Sequence, residues 1–192
     1  LRQAAEMAAA IRKQNALAQE LKSRAEEVHQ ALMQYAIVQP GKGPRIFAYE
    51  VNGFGSFNLM DDANVPNPVA LPYLDAVSVK DPVYQATRHY LLSENNPFYF
   101  SGKAAHGIGS PHTGINMIWP ISLVVRALTS SDEKEIRYCV ETLQKTHAGT
   151  GFMHESFDKD DPSKFTRKWF AWANTIFGEL IWKLHREHPG WI

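Results

Sequence analysis

Cysteine is almost missing from this chain: one residue, Cys139, among 192, which excludes an internal disulfide framework. It lies in a helical run beside Ile136 and Val140, the setting of a packed thiol rather than a nucleophile. Charge of one sign is also missing. With 20 basic and 20 acidic residues, nothing draws the chain toward nucleic acid or an anionic surface. No window approaches the roughly eighteen continuous apolar residues of a membrane span. Neither a nucleic-acid partner nor a membrane span is therefore expected. The first residue is Leu1, and the chain opens inside a helical pattern, LRQAAEMAAAIRKQ. It is expected to be a piece of something longer, which leaves cytoplasmic and exported compartments both open.

Several chemistries lack their motifs. After His154-Glu155 the zincin pattern needs histidine at position 158, where Asp158 stands. GFGSF and GIGS lack the spacing of a dinucleotide loop, and neither GxxxxGK[ST] nor GxSxG occurs. His106 and His112 with Asp61 and Asp62 have no metal-ligand spacing, so no metal or cofactor is expected.

What is present reads as helices joined by long aromatic, glycine-rich loops, with no fixed-period repeat. Ala4, Met7, Ala8 and Ile11 recur at helical spacing, and Leu17, Leu21, Ala25, Val28, Leu32 and Tyr35 resume it after a slip. The slip predicts two helices broken near Lys13 to Asn15, with Asn15 as N-cap. QPGKGP at 39–44 is a stop, and Ile46 to Val51 is a strand or extended edge. A modest helix is expected around Val69 to Val77. Asp81-Pro82 opens another, because aspartate caps and proline suits the first turn. Residues 95–113 read as loop. Helices near Met117 to Leu128 and Asp132 to His147 form a hairpin, and a last one runs from Arg167 or Lys168 to about Glu187.

Three loops carry the candidate chemistry. LMDDANVP sets Asp61 and Asp62 beside Asn64, a carboxylate pair that needs donors, a metal or a ligand to offset its repulsion. GIGSPHTGINMIW offers His112 and Thr113 ahead of Trp119. GTGFMHESFDKDDPSKFTRKWFAWAN places Glu155 among His154, Ser156 and Phe157, followed by Trp169, Phe170, Trp172 and Asn174. Rings that stack on a pyranose, polar groups that fix its hydroxyls and a carboxylate that moves a proton together suit sugar chemistry. A helix N-terminus capped by its acid, with core aromatics, is the plainer alternative. From the residues alone, Glu155 pairs with Asp61 or Asp62 as two carboxylates flanking a glycosidic bond.

Three blocks in order, FAYEVNGFGSFNLMDDANVPNPVALPYL, NPFYFSGKAAHGIGSPHTGINMIWPI and GTGFMHESFDKDDPSKFTRKWFAWANTIFGELI, resemble glycoside hydrolase family 125 across almost the whole chain. The resemblance implies an exo-acting α-1,6-mannosidase that inverts configuration and trims N-glycan or mannan-type mannosides. It implies an all-α fold, the C-terminal half of an (α/α)6 toroid, with residues 1–192 forming part of one catalytic domain whose N-terminal half is a partner in the same protein. About seven helices are expected here, against the twelve of six helical hairpins. By the same resemblance Glu155 is the general base. Asp61, Asp62, Asn64 and His112 hold the mannose, and His154, Trp169, Trp172 and Asn174 border its pocket. The family's general acid belongs to an earlier block resembling PSDDA, absent from these residues, which moves Asp61 and Asp62 from acid to binding roles. Another (α/α)6 glycosidase of the glucosidase or trehalase kind, or a non-catalytic carbohydrate-binding helical protein, are the alternatives.

Overall fold

The computed structural model describes residues 1–191. Helix α1 (Arg2–Ala10) and helix α2 (Asn15–Tyr35) are separated at the expected break, where Lys13 takes a left-handed φ of 56°. Gln14 rather than Asn15 occupies the cap position. The two helices meet through small side chains, with Ala5, Ala8 and Ala18 buried, while Met7, Ile11, Leu17 and Val28 stay exposed. Helix α3 (Pro82–Leu91) starts as its sequence dictates. The Asp81 side chain accepts from the Tyr84 amide at 2.9 Å, and proline fills the first turn. Helices α4 (Pro120–Leu128) and α5 (Glu133–Lys145) make the expected hairpin, with Asp132 capping α5 through the Lys134 amide.

The expected all-α half-toroid is not what the chain forms. Besides six helices, the described residues contain nine short strands in four small antiparallel sheets. Strands β1 (Ile37–Val38) and β2 (Ile46–Phe47) pair, as do β3 (Glu50–Val51) and β4 (Phe57–Asn58). Residues 95–113, read as loop, contain β5 (Tyr99–Ser101) and β6 (His106–Ile108). Strand β8 (Ser156–Asp158) is central to the fourth sheet, between β7 (Met117–Ile118) and β9 (Phe165–Thr166). Segments of two or three residues are too short to show a period of two, so these hairpins look like irregular loop in the sequence. The helix expected at Val69 to Val77 is replaced by turns. Pro72 removes a donor from its interior, and Asp75 is left-handed at φ 56°. Helix α6 (Ala171–Glu187) begins later than expected because the pairing of Phe165–Thr166 and a left-handed Arg167 hold the chain extended up to Phe170.

The core lies around α4, where Ile121, Leu123 and Val124 are fully buried. Onto it α6 packs Ala173, Ile176, Leu180 and Leu184, spaced to fall on one helical face. Each such leucine or isoleucine contributes about 1.5–3 kcal/mol through burial. Behind them Glu135 of α5 accepts from Arg88 of α3 and from Arg126 of α4, both at 2.7 Å. The charge of Arg88 and the bonds from Ser130, Arg126 and Arg88 hold the Glu135 carboxyl below its ordinary range, overcoming burial. Cys139 is fully buried, and burial pushes its thiol up to about 12, as suits a packing residue. At Gly109, which bridges to Ile118, a β-carbon would collide with the Met117 carbonyl and the Phe100 ring. Only glycine lets the β5–β6 hairpin close on β7, which carries the site loops.

Candidate active site

Glu155 immediately precedes β8, and its amide donates to the carbonyls of Thr166 (3.3 Å) and Arg167 (3.4 Å). Because Ser156 lies opposite Thr166 in the β8–β9 register, Glu155 lies opposite Arg167. Arg167 Nε stands 3.4 Å from Glu155 Oε1. The glutamate side chain is 12% exposed and the arginine 66%. The carboxylate is therefore sheltered yet reachable, with a single cationic partner among the described residues.

The residues around it divide into supports and open surfaces. His154 is buried, its ring stacked on Phe165 with centroids 3.9 Å apart. Its Nδ1 lies 2.9 Å from the Lys168 carbonyl. A carbonyl can only accept, so Nδ1 is the donor, and buried Nε2 has no partner among the described residues. Asn174, on the first turn of α6, accepts from the Met153 amide at 3.0 Å and donates to the carbonyls of Met153 and Phe170, each at 2.8 Å. Both side chains brace the backbone beside Glu155. Trp169 and Trp172 are exposed at 57% and 38%.

Rings connect this segment to the His112 loop. His112 lies 6.4 Å from Trp119, Trp119 meets Phe170 edge-on at 5.8 Å, and Phe170 lies 6.3 Å from Trp172. Trp119 Nε1 donates to Thr113 Oγ1 at 2.7 Å, which ties the loop back to its own strand. His112 itself is exposed. Pairing of β7 with β8 sets Ile118 opposite Phe157, so these two sequence-predicted loops are neighbours through both backbone and rings.

The acidic loop is built differently. Asp61 is fully buried, with Oδ1 accepting from the Ala63 amide and Asn67 Nδ2, and Oδ2 from the Val69 amide. Burial pushes its carboxyl up to about 7 against the opposing pull of the two amides. Asn96 brackets it, accepting from the Asp61 amide and donating to its carbonyl. Asp62 takes both the amide and the side-chain nitrogen of Asn64, so those two residues satisfy each other. Beside Asp62 the Tyr49 phenol is pushed up to about 12, by burial first and then by the Asp62 charge. Ala63 and Val65 pack into the same core as Trp119, Phe157 and Phe170. Sequence reasoning missed Arg167, Phe170 as a ring contact, Asn96 and Tyr49. Arg167 was detectable only if DKDDPSK were read as a hairpin turn, which places it across from Glu155.

A cleft of about 490 Å³ lies elsewhere, between α1, α2 and the turn at Tyr73 to Ala76, and no candidate site residue lines it. Its position follows from the poorly covered α1–α2 pair, and the chemistry of the Glu155 segment outweighs it. Among the described residues no group of three or more His, Cys, Asp or Glu could hold a metal ion.

The family model described as metal-independent alpha-mannosidase, glycoside hydrolase family 125, matches residues 1–182. The chain belongs to that family. The chain is 48% identical over 166 residues to the meiotically up-regulated gene 157 protein of Schizosaccharomyces pombe. That match covers 86% of this chain and 33% of the yeast protein. A metal-independent alpha mannosidase of Streptococcus pneumoniae, solved as a non-productive substrate complex with alpha-1,6-mannobiose, superposes with a TM-score of 0.85 at 41% identity. The superposition covers 96% of this chain and 44% of the bacterial one, so the chain spans less than half the length of either protein. No described helix is long and apolar enough to cross a membrane.

Proposed function

We propose that this chain is the C-terminal part of the catalytic domain of an exo-acting mannosidase, which removes terminal α-1,6-linked mannose from N-glycan-type substrates with inversion. The observation that carries the reading is Glu155: a sheltered carboxylate with one long contact, beside exposed tryptophans and a chain of rings. Such a group can take a proton from water on one face of a sugar ring while an acid on the other face protonates the leaving oxygen. The tryptophans supply apolar surface for the pyranose, and His112, exposed on the neighbouring loop, supplies a hydrogen-bonding group.

The acid belongs outside these 192 residues. Asp61 has both oxygens engaged by its own loop, and Asp62 is engaged by Asn64, so neither is free to deliver a proton to a leaving group. Their part is to shape the loop, Asp61 through its backbone amides and Asp62 by holding Asn64. Glu155→Gln in the full-length enzyme should lower turnover of α-1,6-mannobiose by about 100- to 10,000-fold while mannoside binding, followed by calorimetry, survives. Retained turnover would remove Glu155 from the role of base.

A further inference from the structure

Arg167 is the least expected residue of the site. Its φ of 38° lies in the left-handed region, which side chains other than glycine and asparagine rarely adopt. Strain of this kind persists only where the surroundings enforce it, and it gathers at sites of function. The Arg167 carbonyl receives the Glu155 amide, but glycine would offer the same carbonyl at less cost. An ion pair at 3.4 Å whose arginine is two-thirds exposed contributes less than the backbone costs. The structural role therefore leaves the side chain unexplained.

The contact geometry supplies an explanation. Arg167 approaches the carboxylate through Nε, the inner edge of its guanidinium, and Cζ lies 5.8 Å from the Phe170 ring. Neither terminal nitrogen donates a hydrogen bond among the described residues, although each is built to donate two. A planar fork held near a carboxylate at one edge by charge, with a ring nearby and its other edge open, suits an oxygen ligand. We propose that Arg167 is a substrate-positioning residue: Nε stays at Glu155 while the terminal nitrogens grip a hydroxyl oxygen of the mannose that faces the base. The inference rests on reading Glu155 as that base.

The test compares Arg167→Met and Arg167→Lys with the parent in the full-length enzyme, using an α-mannoside and its monodeoxy analogues. Loss of a hydrogen bond to a charged donor should lower kcat/KM of Arg167→Met roughly 10- to 150-fold, most of it in KM. The analogue lacking the gripped hydroxyl should be a poor substrate for the parent and suffer no further loss in Arg167→Met. Lysine should restore part of the binding, because it returns one donor without the fork. Deoxy penalties that are the same in parent and Arg167→Met would overturn the proposal. Thermal melts of both variants report folding, and Arg167→Lys keeps the test usable should methionine unfold the loop. Glu155→Gln run in parallel separates the two readings, since full turnover there removes the base while the deoxy comparison still decides the hydroxyl contact.

Discussion

Asp61 and Glu155 are both carboxylates of the site loops, and the fold treats them in opposite ways. Asp61 has no exposed surface and accepts three hydrogen bonds from its own loop. Glu155 keeps a partly open side chain with one contact, at 3.4 Å. A carboxylate engaged on both oxygens by its own loop holds that loop in shape, and one left short of donors stays open to water and substrate. The contrast suits Asp61 to architecture and supports the proposed chemistry at Glu155, although sequence alone offers both as a catalytic pair.

The strongest way to break this contrast is in turnover. Glu155→Gln should cost about 100- to 10,000-fold in kcat, the usual worth of a positioned base, with little change in melting temperature. A variant at Asp61 that matched this loss while folding normally would reverse the assignment. Next in size, Asp61→Ala strands three buried donors and should destabilise the fold by about 3–4 kcal/mol in urea unfolding. The third test uses pH. The Asp61 carboxyl rises from an ordinary 3.8 to about 7 in the fold, so between these values the folded state holds a proton that the unfolded state has released. Its contribution to stability is fullest below about 4 and is lost as pH rises through about 7. Unfolding free energies across that window should show the decline, and Asp61→Asn should flatten it. The smallest effect falls on the brace beside Glu155. Asn174→Ala removes three hydrogen bonds, and about 1–3 kcal/mol of stability should go with them, measurable by thermal melting.

Much of this was legible in the sequence, and the residues explain the limits. The Asp81-Pro82 and Asp132 starts of α3 and α5 follow from capping chemistry, which is local and therefore readable. The break at Lys13 to Asn15 shows as a slip of the apolar phase. The sheets did not show, because Met117–Ile118 and Ser156–Asp158 become strands only on finding each other across nearly forty residues of chain. The expectation of an all-α fold failed on those non-local pairings. Within the candidate site, the three blocks name segments but do not say which side chains face outward. His154 and Asn174 look like sugar ligands in a string of letters, and the backbone uses both of them. Arg167 did not stand out because its place opposite Glu155 comes from strand register rather than from neighbours in sequence.

The Glu135 network has a consequence for heat. Withdrawing charges from water becomes less unfavourable as temperature rises, while the apolar contribution levels off. The ionic brace joining α3, α4 and α5 is thus the part of the molecule that weakens least on warming. The alanine seam between α1 and α2 has no such reserve. Gradual heating should loosen the N-terminal helix pair first and leave the platform beneath Glu155 assembled, so the onset of melting and the loss of the site belong to different temperatures.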